Sequence, residues 1–324
     1  METSIFNIQN KQEFKALSLA VFKHQFKNNK VYRSFCDLLF VHPSSISTIE
    51  EIPFLPIQFF KSREVLSSLA EVQEIFTSSG TTGSITSKHL VTDITLYKES
   101  YLKGFAHFYG NIEEYTILAL LPNYLEREGS SLVFMVADLI QKSKKPESGF
   151  YLDNMQELAK KLIELDKTGQ KTLLIGVSFA LLDLIEMQQF NLKNTIIMET
   201  GGMKGRRKEL VREELHAILK NGFGVTEIHS EYGMTELLSQ GYSKGNGVFE
   251  IPPWMKILTR DTEDALSINA SGKNGGINVI DLANYNSCSF IATQDLGKVH
   301  ENGTFEIIGR FDNSDIRGCN LMVL

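Results

Sequence analysis

The sequence has few cysteines, no long apolar run and no cluster of basic residues. Its three cysteines, Cys36, Cys288 and Cys319, are an odd number and lie far apart, which fits reduced thiols better than a disulfide framework or a zinc site. If the protein binds a metal ion, we therefore expect oxygen ligands.

Targeting signals and surfaces for polyanions are also missing. The first residues, METSIFNIQNKQEFK, lack the basic-then-apolar order of a signal peptide, and no apolar stretch is long enough to span a bilayer. A net charge of -6 and a pI of about 5.7 give no general attraction to nucleic acid or anionic membranes. We expect a cytoplasmic protein with no nucleic-acid partner and no membrane span.

The 324 residues are 42% hydrophobic, enough to bury a sizeable core in one large domain or two subdomains. Apolar residues at helical spacing predict a helix over residues 11–27. Further along, the short apolar runs YTILALLP, KTLLIGV and TIIMETGG predict buried strands, with helices expected near residues 130–141, 154–167 and 205–220. This alternation predicts parallel strands joined by crossover helices.

After about residue 247 the pattern changes to short strands and turns, as in VFEIPPWMKILTR and GGINVIDLAN. This pattern predicts a small antiparallel subdomain, and no linker-like stretch separates it from the preceding part. We therefore expect an α/β core over residues 1–247 and a contiguous β-rich part over residues 248–324.

A stretch rich in glycine, serine and threonine, FTSSGTTGSITSKHLV, occupies residues 76–91. Glycine-freed backbone amides and hydroxyl groups donate hydrogen bonds to phosphate oxygens, and a lysine offsets phosphate charge. The spacing excludes a Walker loop, which needs a Lys-Ser/Thr pair directly after its second glycine and then a helix. Here the flanks alternate as strands do. Taken alone, the stretch could also be interpreted as a polar hairpin turn that binds no ligand.

Five segments together resemble the motifs of the adenylate-forming superfamily, which includes acyl-CoA synthetases, luciferases and peptide-synthetase adenylation domains. TSSGTTGSITSK resembles its phosphate loop. The remaining motifs are matched, in the right order, by ETGGMKG at 199–205, SEYGMTE at 230–236, TQDLGKV at 293–299 and GRFDNSDIRG at 309–318. The resemblance implies a large α/β domain of mixed and parallel sheets flanked by helices, together with a small antiparallel β subdomain.

The resemblance also implies ATP and Mg²⁺ as cofactors. The ATP-binding residues that it implies are Thr77, Ser78, Ser79, Gly80, Thr81, Thr82, Gly83, Gly201, Gly202, Met203, Tyr232, Gly233, Asp295 and Arg310. Among these, Gly201 and Gly202 are expected to form a flat backbone surface along the adenine, on which Tyr232 stacks. The alternative for the glycine pair alone is an ordinary turn at the end of a strand.

The catalytic roles follow from the same motifs. Thr235 is expected to contact the α-phosphate, and Glu236 to be a ligand of Mg²⁺, for which one carboxylate beside phosphate oxygens is sufficient. Lys88 is expected to place a positive charge on the leaving pyrophosphate. Asp295 resembles the aspartate that binds both ribose hydroxyls, and Arg310 the arginine on the ribose and phosphate side. Any one of these charges, taken alone, would be interpreted as a solvated or paired surface group.

Members of the superfamily continue past the Gly-Arg motif into a mobile lid domain that carries a late catalytic lysine, whereas this sequence ends at Leu324. We therefore expect the lid domain to be absent. Thioester formation with CoA normally uses the lid-closed state, so this expectation argues against ordinary CoA ligation.

One short branch of the superfamily, the acyl-protein synthetase (LuxE-type) family of the bacterial fatty-acid reductase complex, is similar in length class. IPFLPIQFFKS, LPNYLEREGSSLVFM and the ending RGCNLMVL resemble that family. The resemblance implies adenylation of a fatty acid, transfer of the acyl group to Cys319 as the catalytic nucleophile, and delivery to an acyl reductase. The alternative for Cys319 is a small apolar residue in a final strand.

Three functions stay open at this point. The first is an ATP-dependent acyl-protein synthetase that forms an acyl-adenylate and then a thioester on Cys319. The second is an acid ligase whose acceptor is CoA or a carrier protein. The third is a non-catalytic nucleotide or acyl binder. Glu236, Lys88 and Asp295 argue against the third, because a pure binder has no need of a magnesium ligand at the α-phosphate.

Overall fold

The structure is a computed structural model of the 324-residue chain, and it describes residues 2–78, 85–121, 129–151, 154–201, 207 and 210–311. Several site residues expected from the sequence lie outside the described residues, namely Ser79, Gly80, Thr81, Thr82, Gly83, Gly202, Met203 and Cys319.

The described part of the chain alternates helices and strands. The helices are α1 (Glu2–Ile5), α2 (Lys11–Asn28), α3 (Lys30–Leu38), α4 (Phe59–Ser62), α5 (Ile94–Tyr109), α6 (Ser131–Ser143), α7 (Met155–Thr168), α8 (Ser178–Met187) and α9 (Arg212–Phe223), with 3₁₀ turns at Ile112–Glu114 and Leu282–Asn284. The strands are β1 (Leu55–Pro56), β2 (Glu74–Thr77), β3 (Lys88–Val91), β4 (Thr116–Leu120), β5 (Gly149–Phe150), β6 (Thr172–Val177), β7 (Thr195–Thr200), β8 (His229–Tyr232), β9 (Gly241–Ser243), β10 (Val248–Glu250), β11 (Met255–Arg260), β12 (Asn274–Asp281), β13 (Phe290–Val299) and β14 (Phe305–Arg310).

The contacts divide the chain into two compact units. Unit 1 comprises Met1–Gly104, Gly233–Gln240 and Glu250–Leu324, and unit 2 comprises Phe105–Tyr232 and Gly241–Phe249. The N-terminal residues are thus grouped with the C-terminal strands, whereas the sequence alone suggested a boundary near residue 247. The division into a nucleotide-binding core and a β-rich part at that residue stays a prediction.

Unit 2 contains the parallel strands that the sequence predicts. Its strand order is β5-β4-β6-β7-β8-β9, in which the pairs from β5 to β8 are parallel and β9 is antiparallel to β8. Helix α6 packs on β4, α7 packs on β6, and α8 packs on both β6 and β7. The predicted architecture of parallel strands with crossover helices is therefore confirmed.

The central strands of unit 2 form because they are continuously apolar. All five residues of β4 and all six of β6 are buried, the pattern of parallel strands covered on both faces. Helices α8 and α9 approach closely at Gly222, where an added Cβ atom would lie 2.6 Å from Ile185 Cδ1. Helix α9 then ends at Gly224, whose φ of 66° is in the left-handed region that favours glycine.

Unit 1 contains the antiparallel strands expected in the C-terminal part. Strands β11, β12, β13 and β14 pair in chain order, each antiparallel to the next, and the short strand β1 pairs parallel with β13. Strands β2 and β3 form a separate antiparallel hairpin with Thr77 opposite Lys88. The predicted antiparallel strands of the C-terminal part and the predicted strands on either side of the phosphate loop are both confirmed.

Helix α2 fixes a later part of unit 1 by polar contacts from its buried face. The amide nitrogen of Gln25 donates hydrogen bonds of 3.0 Å to the carbonyl oxygens of Asn284 and Tyr285. The same side chain accepts from the backbone N–H of Ser289 at 2.9 Å. Residues 284–289, which follow strand β12, are thereby held on the first long helix of the chain.

The cysteines of the described part are buried and unoxidised. Cys36 lies on helix α3 and Cys288 directly before strand β13, and both are inaccessible to solvent. Both are therefore core residues. No helix among the residues that the structure covers is long and apolar enough to cross a membrane.

Candidate functional site

The stem of the predicted phosphate loop is closed by two serines. The backbone N–H of Ser78 donates to the carbonyl oxygen of Ser87 at 3.1 Å, and the N–H of Ser87 donates to Ser78 Oγ at 2.9 Å. These contacts extend the Thr77 and Lys88 pair of the β2–β3 hairpin by one residue on each side. The ends of the loop are therefore held in fixed register.

Side chains alternate along the strand that leaves the loop. Ser87 and His89 are buried, whereas Lys88 between them is exposed. Because successive side chains of a strand point to opposite faces, Lys88 lies on the face opposite to Ser87 and His89. The expected role of Lys88 at the leaving pyrophosphate stays a prediction.

Glu236 is a buried carboxylate surrounded by groups that favour its ionised form. Its side chain is 5% exposed and accepts a hydrogen bond from Ser87. Burial raises the pKa of Glu236, while the Ser87 hydrogen bond and the positive charges of Lys61 and Arg310 act in the opposite direction. Two cations of unit 1, Lys61 and Arg310, therefore favour the negative charge of the Glu236 carboxylate.

Lys61 is a residue of this group that sequence reasoning did not single out. It lies in α4, next to Phe60, whose ring packs edge-on against the ring of His89 with centroids 5.7 Å apart. Helix α4 therefore carries Lys61 beside strand β3. The available signal was a lysine in the apolar, proline-punctuated segment IPFLPIQFFKS.

The donor set around Glu236 fits magnesium bound together with phosphate oxygens. Mg²⁺ is usually held by one or two carboxylates plus substrate phosphates and water, and the cations Lys61 and Arg310 suit the phosphates themselves. Among the residues that the structure describes, no group of three or more His, Cys, Asp or Glu side chains forms an all-protein metal cage. Glu236 is a residue that could hold the ion, and its expected role as the magnesium ligand stays a prediction.

The backbone of residues 235 and 236 is held by two buried side chains of unit 1. His89 Nδ1 lies 2.9 Å from the carbonyl oxygen of Thr235, and Asn284 Nδ2 donates to the carbonyl oxygen of Glu236 at 2.7 Å. Burial lowers the pKa of His89 to about 4, so the ring is neutral at physiological pH. The neutral ring bonds to this carbonyl oxygen only as the tautomer that carries hydrogen on Nδ1.

Asp295 and Arg310 form a cross-strand pair between two neighbouring antiparallel strands. They are directly opposite in the β13–β14 register, with Arg310 Nε 3.1 Å from Asp295 Oδ1. The Arg310 side chain is 65% exposed and that of Asp295 is 13% exposed. Such a partly exposed pair contributes little to stability, and the guanidinium group of Arg310 is accessible to a ligand.

The described adenine-side residues lie in unit 2, at the carboxyl ends of neighbouring parallel strands. Gly201 follows β7 with a φ of 78°, a conformation that favours glycine. Tyr232 ends β8, and its ring meets that of Phe249 at 6.0 Å and 63°. This edge of a parallel sheet is where α/β proteins bind ligands. Contact of Gly201 and Tyr232 with adenine stays a prediction.

Two acidic residues of unit 2 at the same strand ends were missed by sequence reasoning. Thr200 Oγ1 donates to Glu231 Oε2 at 2.6 Å. Burial raises the pKa of Glu231 to about 7, against the effect of the Thr200 hydrogen bond, and the charge of Glu199 adds to the rise. Glu199 is the first residue of ETGG, and Glu231 is the first residue of EYGMTE. Their positions in these motifs were the only sequence signal for them.

The described site residues of unit 1 therefore form a connected arrangement of a loop stem, a buried carboxylate and two cations. Residues 4–112 match the family described as acyl-protein synthetase, LuxE. The chain is also similar to a "Long-chain-fatty-acid--luciferin-component ligase" of Vibrio harveyi, with 24% identity over an alignment of 338 residues that covers 97% of this chain and 88% of that relative.

Solved structures share the fold at low sequence identity. ATP-bound MatB from Rhodopseudomonas palustris superimposes with a TM-score of 0.57 and 17% identity over 75% of this chain, which spans about half (49%) of the length of MatB. A 2-hydroxyisobutyryl-CoA ligase in its postadenylation state gives a TM-score of 0.69 and 10% identity, over 93% of this chain and 68% of that protein. The resemblance indicated by the sequence motifs is thus confirmed: the chain has the fold of adenylate-forming ligases and is similar to the LuxE-type acyl-protein synthetases.

Proposed function

We propose that this chain activates a fatty acid with ATP and transfers the acyl group to a protein cysteine. In the first step a carboxylate oxygen of the acid attacks the α-phosphorus of ATP, the bond to the β-phosphate oxygen breaks, and pyrophosphate leaves. In the second step a thiolate attacks the acyl carbonyl carbon, the bond to the AMP oxygen breaks, and AMP leaves.

The observation that carries the proposal is the contact between Ser87 and the carboxylate of Glu236 in unit 1. Ser87 is the second-last residue of TSSGTTGSITSK, the segment expected to hold phosphates, and Glu236 ends the motif expected to hold magnesium. A loop stem and a buried carboxylate in contact, with Lys61 and Arg310 acting on the same carboxylate, suit a phosphate chain with its metal ion.

Each group has a role in the first step. The magnesium ion, when bound, offsets charge on the phosphate oxygens, and Glu236 holds it in place. Lys61 and Arg310 favour the negative charge that accumulates as pyrophosphate separates. Asp295 accepts hydrogen bonds from the ribose hydroxyls and so fixes the nucleoside end of ATP.

The acid and the acceptor are supported by the similarity to acyl-protein synthetases. The name of the Vibrio harveyi relative specifies a long-chain fatty acid, and we propose an acid of that class as substrate. We propose Cys319 as the acceptor thiol, with an acyl reductase or a carrier protein as the onward partner. CoA or a carrier protein as the direct acceptor is the second candidate, and a non-catalytic binder is the third.

Fatty-acid-dependent exchange between ATP and labelled pyrophosphate tests the first step. The wild-type chain with Mg²⁺ and acids of increasing length is expected to catalyse exchange, with long chains preferred. If no carboxylic acid supports exchange, both enzymatic functions are wrong and the binder is favoured.

Intact-protein mass measurement with labelled acid and ATP tests the second step. We expect an acyl adduct that hydroxylamine removes and that Cys319→Ala abolishes, while exchange persists in that variant. Cys36→Ala, a change at a buried thiol, is the matched control and should retain the adduct. An adduct that survives Cys319→Ala, or exchange with no adduct, would favour a CoA or carrier-protein acceptor.

A further inference from the structure

Asp281, the last residue of strand β12, is fully buried and accepts hydrogen bonds with both carboxylate oxygens. Oδ2 accepts from the backbone N–H groups of Leu238 at 2.8 Å and Ser239 at 2.9 Å. Oδ1 accepts from Ser239 Oγ at 2.6 Å and from the N–H of Ala283 at 3.1 Å. Three of these four donors belong to the segment that directly follows Glu236.

The other side of Glu236 is held by the contacts described above. His89 bonds to the carbonyl oxygen of Thr235, and Asn284 donates to the carbonyl oxygen of Glu236. We call Asp281, Asn284 and His89 the clamp. Asn284 is itself held through its own carbonyl oxygen by Gln25 of helix α2.

Burying an aspartate carboxylate is unfavourable for folding unless its oxygens accept hydrogen bonds. Burial raises the pKa of Asp281 to about 6, and the hydrogen bonds from Ser239, Leu238 and Ala283 act in the opposite direction. Two adjacent backbone N–H groups pointing at one carboxylate oxygen fix the direction of the chain at that point. A purely apolar residue at position 281 would leave those donors buried and unsatisfied.

We infer that Asp281 is a positioning residue, which holds the backbone of residues 235–239 so that the Glu236 carboxylate is in place before magnesium and ATP bind. The inference rests on the proposed function of Glu236 as the magnesium ligand. Asp281 is fully buried, and it acts through the segment that carries Thr235 and Glu236. A preformed segment lowers the ordering cost of binding and keeps the ligand geometry within tolerance.

Hydrogen–deuterium exchange on the nucleotide-free protein tests the clamp without any activity. Asp281→Asn replaces one acceptor oxygen by an NH₂ donor and should speed amide exchange in the peptide that contains Leu238 and Ser239 by about tenfold or more. Thr259→Val is the control, because Thr259 is equally buried on neighbouring strand β11 and its side chain bonds to Lys273 instead. It should leave exchange in that peptide unchanged.

The positioning role is measured by magnesium dependence in two assays. Asp281→Asn should raise the Mn²⁺ concentration needed for half-saturation, measured by electron paramagnetic resonance with ATP, about tenfold. It should lower kcat for ATP–pyrophosphate exchange by about 10- to 100-fold, because a displacement near 1 Å has effects of that size. The KM for the acid should stay unchanged, whereas a merely unstable protein would lose active fraction with all affinities intact.

Ser239→Ala keeps the buried charge and removes one donor, so it serves if Asp281→Asn fails to fold. It should give smaller changes of the same kind. Faster amide exchange with unchanged Mn²⁺ affinity and kcat would overturn the inference, as would unchanged amide exchange. A wild-type chain that binds Mn²⁺·ATP but exchanges no pyrophosphate would contradict the proposed function only, since amide exchange and Mn²⁺ binding still decide the role of Asp281.

Discussion

The hydroxyl group of Ser87 donates a hydrogen bond to the buried carboxylate of Glu236. Ser87 lies near the end of the TSSGTTGSITSK segment, and Glu236 ends the SEYGMTE segment, so two motifs distant in sequence meet in unit 1. In the sequence, the two segments were linked only by their resemblance to motifs of the same superfamily, in the same order. The contact shows that the two motifs are neighbours in the folded chain, with the Glu236 carboxylate at the point where they meet.

Replacing Glu236 by glutamine should separate catalysis from stability. The change keeps the shape but removes the charge that would hold magnesium, so ATP–pyrophosphate exchange should fall by about 100-fold or more. Burial disfavours the charged form, so the free energy of unfolding at pH 8 should be unchanged or higher. Glu263→Gln, at an exposed turn, is the control and should leave exchange intact. Equal effects of both changes would exclude Glu236 as the metal ligand.

Replacing Lys61 by methionine should slow exchange by about tenfold, because one of the two cations acting on Glu236 is lost while the apolar stem is kept. Lys61→Arg keeps the charge and should retain more activity than Lys61→Met. Steady-state exchange rates at saturating acid give the comparison, and Lys15→Met on the exposed face of helix α2 controls for loss of surface charge. If Lys61→Met matches the wild type, the lysine has only a structural role.

Asp295 should govern discrimination between ribose and deoxyribose. Asp295→Asn loses a charged acceptor and should raise the KM for ATP by about tenfold, since hydrogen bonds to charged groups are worth about 1.5–3 kcal/mol. The wild type should prefer ATP over 2′-deoxy-ATP, and the variant should lose most of that preference. Asp264→Asn, in an exposed turn, is the matched control. A variant that keeps full discrimination would mean that Asp295 does not bind the ribose.

The raised pKa of Glu231 should make the stability of the protein depend on pH. Its pKa is about 7 in the folded chain, compared with an ordinary value of 4.5, so the folded state holds a proton that the unfolded state releases. The resulting contribution is fully present below about pH 4.5 and is lost as the pH rises through 7.

Urea unfolding at pH 5 and pH 8 measures this effect. The wild type should lose about 2 kcal/mol more than Glu231→Gln between the two values, because one pKa unit corresponds to about 1.4 kcal/mol. The comparison cancels the contributions of Asp281 and His89, which both proteins share. Parallel pH profiles for the two proteins would show that Glu231 ionises with its ordinary pKa.

Much of the fold could be predicted because it is encoded in local patterns. The apolar runs at β4, β6 and β7 are long, continuous and bounded by helices, so periodicity and length identified them as buried parallel strands. The hairpin around the phosphate loop was also predictable, because its second strand alternates in polarity. Helix α9 was expected near residues 205–220 and is observed at Arg212–Phe223, with Gly224 setting its end.

The supports of Glu236 could not be predicted in the same way. Lys61, Asp281 and Asn284 are single polar residues whose partners are distant in sequence, and no local period marks a long-range hydrogen bond. Lys88 illustrates the opposite case, since its motif position suggested a role at the phosphates while strand alternation places it opposite Ser87. A motif identifies residue types, whereas the face that each residue occupies depends on register.

Unit 1 also has a consequence for biosynthesis. It joins Met1–Gly104 to Gly233–Gln240 and Glu250–Leu324, and both Gln25 and His89 bond to residues that are translated much later. A nascent chain that has reached residue 232 therefore exposes the apolar surface of its N-terminal helices without their partners. Chaperone dependence and sensitivity to C-terminal truncation are expected to be high, because the buried carboxylate acquires its neighbours only when the final strands have emerged.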